Sequence, residues 1–164
     1  MVFLLRTYSF YIKEFHLFSS ERVGHRLENT IHNSPTRFGY DILRDHVLPS
    51  ILGAHQGDIL YWAGKEVARK FPVFNIEELP VFFKEAGWGI LSLEKTQKDE
   101  TFYIMTIGDE LNIQDRSFQL EAGFLAEQYQ KLNGLLTECY GEAQFKKGHV
   151  TFQVKWDVKT KIDM

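Results

Sequence analysis

Tyr61-Trp62-Ala63-Gly64-Lys65-Glu66-Val67-Ala68-Arg69-Lys70-Phe71-Pro72, followed by Glu85-Ala86-Gly87-Trp88-Gly89, joins an amphipathic helix to tryptophans set beside glycines. Leu60, Ala63, Gly64, Val67 and Phe71 share one face at helical spacing, with Asp58, Lys65 and Arg69 opposite and Pro72 as the stop. The spacing predicts a helix over 58–71. Trp62 projects toward Asp58, Lys65 and Arg69, on the charged face, and so needs cover from another element or another chain.

Upstream, Phe38, Ile42, Leu43 and Val47 recur at helical spacing and Pro49 ends the pattern, which predicts a helix over 38–48. His46 projects between Ile42 and Leu43, where a hydrogen-bonded core histidine is the simplest reading. Downstream, Asn75-Ile76-Glu77-Glu78 has the form of a capping box, and Gly87 supplies a left-handed residue after a helix over 76–86. Apolar runs at 89–96 and 100–107, separated by Gln97-Lys98-Asp99, read as a β-hairpin. A helix is expected over 118–140, with Leu125, Tyr129, Leu132 and Leu136 in one stripe and Leu120, Phe124 and Leu135 on the opposite side. Val150, Phe152, Val154 and Trp156 then alternate with polar residues, as in a strand with one buried face. Helices, a hairpin, a helix and a strand define an α+β fold with a twisted antiparallel sheet packed against helices.

The chain has 164 residues, 44% of them hydrophobic, which suits one domain with a core that needs no staples. A single cysteine, Cys139, excludes an internal disulfide and a cysteine-based zinc site, and is read as a small, partly buried hydrophobe. The net charge of −3 lacks the basic field that nucleic-acid binding needs. Near the N-terminus Arg6, Lys13, Glu14 and His16 interrupt every apolar run short of a membrane span, and no small-residue cleavage site follows. A cytoplasmic chain is the expectation. The polar stretch ending in Asn33, Ser34 and Pro35 reads as a linker, so 1–36 is an N-terminal extension, 37–158 the domain and 159–164 a tail.

Tyr61-Trp62-Ala63-Gly64-Lys65, Ala68-Arg69-Lys70-Phe71-Pro72, Glu85-Ala86-Gly87-Trp88-Gly89, Phe118-Gln119-Leu120-Glu121-Ala122-Gly123-Phe124 and Val154-Lys155-Trp156-Asp157 closely resemble the YslB-like proteins, an uncharacterised family of Gram-positive bacteria. The resemblance implies membership of a wider superfamily that includes 4-vinyl reductase domains, haem-binding nitric-oxide sensor domains and core subunits of the transport protein particle. It further implies a ligand-binding fold of the nitric-oxide signalling and Golgi transport type, in which several relatives hold an apolar ligand between helices and sheet. The early helices lack the acylated cysteine of some relatives, and Cys139 alone does not repeat the cysteine set of some 4-vinyl reductase domains.

The motifs supply no paired acid and base, oriented nucleophile or metal triad, so no catalytic residue, metal or cofactor is assigned and the chain is read as a non-enzyme. The leading reading is a binding module for an apolar or amphipathic small molecule, walled by Tyr61, Trp88 and Phe124. The alternative is a homodimeric interaction or adaptor protein with a packed core, meeting its partner through Trp62, Leu120, Phe124 and Leu135. Glu121 falls at the margin of the buried stripe and is expected to be solvated or salt-bridged.

Overall fold

A computed structural model describes residues 36–107 and 116–162. The chain divides into two units, 1–40 and 41–164. Apart from Thr36, the expected N-terminal extension lies outside the described residues. In the first unit Thr36 Oγ1 accepts the Gly39 N–H at 3.1 Å, capping the start of helix α1 (Arg37–Asp41).

In the second unit a π-helical segment, Ile42–Val47, leads directly into α2 (Leu48–Leu52). The sequence pattern placed a helix end at Pro49. Instead the Leu48 N–H bonds the Leu43 carbonyl, five residues back, and Pro49 falls in the first turn of α2, where its missing N–H is not needed. The expected apolar face is also reversed: Ile42, Leu43, Val47 and His46 are exposed, and Arg44 is the buried residue. An ion pair to Glu121 holds Arg44 inward, a tertiary interaction that outweighs the local apolar pattern.

Helix α3 (Gln56–Lys70) buries Leu60, Gly64, Lys65 and Ala68. Lys65, expected on the solvated face, is covered, with its ammonium 3.4 Å from Glu138 Oε1 and its stem available to pack. After α3 a single 3-10 turn, Ile76–Glu78, opens α4 (Leu79–Glu85). Neither half of the expected capping box forms. Glu78 reaches back to the Phe74 N–H at 3.2 Å and to Asn75 Nδ2 at 3.0 Å, while Asn75 caps nothing with its own oxygen. At the far end Gly87, at φ +69°, donates to Lys84 O at 3.1 Å and Trp88 donates to Phe83 O at 2.9 Å. That pair of bonds is a Schellman closure, and it delivers Trp88 into the first strand.

The sheet has four antiparallel strands in the order β1-β2-β4-β3: β1 (Ile90–Thr96), β2 (Glu100–Thr106), β3 (Leu135–Gln144) and β4 (His149–Lys161). The hairpin of β1 and β2 closes where Gln97 N–H donates to Glu100 O at 2.7 Å. On the inner face Leu91 faces Met105, Met105 faces Val150, Tyr103 faces Phe152, and Val154 faces Cys139, all of them buried. β4 runs on to Lys161, through what the pattern marked as a tail.

The main correction concerns 118–140. Helix α5 spans only Gln119–Asn133; Gly134, at φ +65°, stops it, and Leu135 opens β3. Residues Leu135 to Tyr140 therefore belong to an edge strand. α5 is buried continuously from Glu121 to Tyr129 because both of its sides are covered. Toward the sheet, Tyr129 stacks on Trp156 at 5.9 Å and shares a 2.6 Å hydroxyl hydrogen bond with Tyr103. On another side α3 crosses close: a Cβ at Gly64 would stand 2.8 Å from Phe124 N, and one at Gly123 would stand 2.8 Å from the Tyr61 carbonyl carbon. The two sticky faces of the helix are thus satisfied within the chain.

Candidate functional site

Two groups of side chains meet on α5, one helical turn apart. The first is aromatic. Trp88 is 5% exposed and stands edge-on to Phe82, Phe83 and Phe124 at centroid distances of 5.5, 5.0 and 5.2 Å. Phe83 continues the cluster to Phe152 on β4 at 6.4 Å. These edge-to-face arrangements set the positive rim of one ring against the negative face of another, and together they fill the seam between α4, α5 and the sheet. Phe82 differs from the rest. Half-buried, it stacks on the fully buried Phe124 at 4.3 Å and 13° and, besides Trp88, meets the exposed Phe71.

The second group is ionic. Arg44 and Glu121 are 3% and 1% exposed, and Arg44 Nη2 donates to the two carboxylate oxygens at 2.8 and 2.6 Å and to Ser117 O at 3.0 Å. Arg44 Nε and Nη1 are buried with no acceptor among the described residues. Beside them the buried Arg116 donates through Nε to Asp45 Oδ1 at 2.6 Å and through Nη2 to Asp41 Oδ1 at 2.9 Å, with a further bond to Asp45 Oδ2. Burial pushes the Glu121 carboxyl above the usual carboxylate range, and the opposing pull of Arg44 does not cancel that loss of hydration.

The expected wall residues separate. Trp88 and Phe124 come together, but Tyr61 does not join them. Its hydroxyl donates to Glu138 and accepts the Cys139 backbone N–H at 3.2 Å. Tyr61 thereby caps an outward N–H of the edge strand β3, and burial, reinforced by the Glu138 hydrogen bond, keeps its phenol protonated. Burial likewise raises the Cys139 thiol, matching its reading as a small hydrophobe.

The expected interface set also divides. Phe124 is fully buried within the chain, Leu120 is half-buried where α3 crosses, and Leu135 lies on β3 rather than on the helix face assigned to it. Trp62 alone stands free, 61% exposed, with the Lys65 ammonium 5.6 Å from its ring centroid.

Arg44 escaped the sequence reading, and Glu121 was placed at an edge. A signal existed: Glu121 is the one charge in the run Leu120 to Ala126, and a charge so surrounded needs an opposite charge from elsewhere. Gln128 was missed too. Fully buried, it accepts the Val73 N–H at 3.1 Å and donates to Phe71 O at 2.8 Å, fastening the α3–α4 connection to α5. Among the described residues no group of three His, Cys, Asp or Glu side chains is placed to hold a metal, and no helix is long and apolar enough to cross a membrane.

The fold is that of an α+β domain in which an open four-stranded antiparallel sheet carries a central buried helix. It is shared with a vinyl-4-reductase family protein from Methanocaldococcus jannaschii, at a TM-score of 0.52 and 18% identity over 79% of this chain and 87% of that one. It is also shared with an H-NOX protein variant from K. algicida, at a TM-score of 0.50 and 12% identity over 76% and 75% of the two chains. Residues 37–155 match the family described as "Protein of unknown function (DUF2507)", and the chain belongs to that family. Its similarity to the uncharacterized protein YslB of Bacillus subtilis (strain 168) is 42% identity over 126 residues, covering 74% of this chain and 85% of that protein.

Proposed function

We propose that the domain is a non-catalytic binding module that takes an apolar or amphipathic small molecule between its helices and sheet. The observation that carries this reading is the stack of half-buried Phe82 on buried Phe124, beside Trp88. The seam is closed by rings, and Phe82 is the ring on its solvent side. A rotation of Phe82 about its side-chain bonds would uncover the faces of Phe124 and Trp88 without moving a backbone element. The folds shared with vinyl-4-reductase and H-NOX proteins are compatible with this use and do not establish it.

The test is Trp88 emission during titration with decanoate, myristate or palmitate, in proteins carrying Trp62→Phe and Trp156→Phe as separate controls. Binding is expected to shift the emission saturably. Phe82→Ala is expected to tighten binding by removing the ring that must be displaced, and Trp88→Phe to fold and lose most of the response. No saturable change in either the parent or Phe82→Ala refutes the reading.

A second reading, a homodimeric interaction protein, is favoured by Leu43 and Ile51, which are 58% and 73% exposed on the π-helical segment and α2, and by Trp62 on α3. Large apolar side chains left to solvent in this way suit a partner surface.

A further inference from the structure

We propose that Arg44 is the residue that reads the head of the bound molecule, and that this head is a carboxylate. The inference rests on the ligand-binding reading above and gives the ligand its chemical class.

A guanidinium offers five N–H donors from three nitrogens. In Arg44 the whole of the recorded pairing, to both Glu121 oxygens and to Ser117 O, falls on Nη2. Among the described residues Nε and Nη1 are buried and have no acceptor. Buried donors without partners are rare in folded proteins, and each one calls for an explanation. Arg116, the other buried arginine of the cluster, has both Nε and Nη2 engaged by the carboxylates of Asp41 and Asp45, so the unpaired guanidinium nitrogens are those of Arg44.

The position of these donors suits an amphipathic molecule. Glu121, which anchors Arg44, and Phe124, which floors the aromatic seam, are three residues apart on α5, a rise of about 4.5 Å along the helix axis. A head group at Arg44 therefore leaves an attached chain close to the Phe82, Phe124 and Trp88 rings. A planar carboxylate matches the guanidinium geometry and forms charge-assisted hydrogen bonds stronger than those of a neutral oxygen. Burial shifts the Glu121 carboxyl toward its protonated form, which lowers the repulsion that a second carboxylate at Nε and Nη1 would meet.

The experiment compares decanoate with decanol, matched in chain and differing in the head, by Trp88 emission. The intact protein is expected to bind decanoate about tenfold more tightly, the order of one charge-assisted hydrogen bond. In Arg44→Gln combined with Glu121→Gln, which leaves a neutral hydrogen-bonding pair, the preference is expected to vanish while decanol binding stays as it was. Arg44→Lys, which keeps the charge and removes the planar fork, is expected to lose part of the preference and serves if the double variant does not fold. Equal binding of acid and alcohol by the intact protein overturns the role of Arg44 and leaves the ligand-binding reading standing. A preference that survives in the variants also overturns it, and binding of neither probe refutes both readings.

Discussion

The crossing of α3 over α5 makes a quantitative prediction for Gly64→Ala and Gly123→Ala. A Cβ at Gly64 would run into the Leu120 carbonyl oxygen and lie 2.8 Å from Phe124 N, and one at Gly123 would run into the Tyr61 carbonyl oxygen and lie 2.8 Å from the Tyr61 carbonyl carbon. Comfortable heavy-atom separations are about 3.5–4.0 Å, so clearing those carbonyl oxygens requires the helices to part by more than about 1 Å. The obstacles are backbone atoms on both helices, which cannot swing aside as a side chain would. Overpacking of this kind costs about 1–3 kcal/mol, and the upper end applies where both sides are rigid. Alanine returns up to about 1 kcal/mol of helix propensity, leaving a net loss of about 2 kcal/mol or more for each variant. For a chain of this length that is a fall in Tm of at least roughly 4–8 °C. The control is Gly57→Ala on the same helix, whose Cβ would meet only Gln119 Cγ at 3.9 Å, and which should be neutral or slightly stabilising. Because one separation of the helices relieves both clashes, the double variant should lose less than the sum of the singles. Urea and thermal unfolding of the five proteins decide the matter. Strictly additive losses, or a Gly64→Ala protein as stable as Gly57→Ala, would refute the close-crossing argument.

Two further outcomes follow from the buried charge and from the exposed apolar side chains. The Glu121 carboxyl is held above its ordinary range in the folded chain, so the folded state binds that proton more tightly than the unfolded chain does. Its stabilisation is complete below the ordinary carboxylate range near pH 4 and is lost as pH rises through the raised folded value. The stability of the parent relative to Glu121→Gln, measured by urea unfolding, should therefore decline as pH is raised from about 4, and a flat difference would contradict it. If a second copy covers Leu43 and Ile51, light scattering should report a dimer for the parent and a monomer for Leu43→Glu; a monomeric parent removes the homodimer reading.

The sequence by itself determined those elements whose signals are local. Pro72, Gly87 and the alternation from Val150 to Trp156 act through backbone geometry and side-chain period within a few residues, and the α3 helix, the turn into β1 and strand β4 stand where those signals put them. The resemblance of five ordered motifs was likewise legible, since Gly64 and Gly123 stand at the one crossing in their helices that tolerates no side chain. Strand β3 was legible only in part. Asn133-Gly134 is a helix stop, yet Leu136 continued the helical stripe, and a few residues of apolar period cannot separate a helix end from an edge strand that pairs with β4. Tertiary structure alone decided which way the π-helical segment faces. Its local pattern offers Ile42, Leu43 and Val47 to the core, but Arg44 is drawn inward because Glu121, distant in the chain, is buried on α5 and requires a counter-charge. Periodicity ranks side chains by their own hydration, whereas a buried ion pair depends on two residues at once, and that joint property exists only after the chain has brought α5 against Arg44.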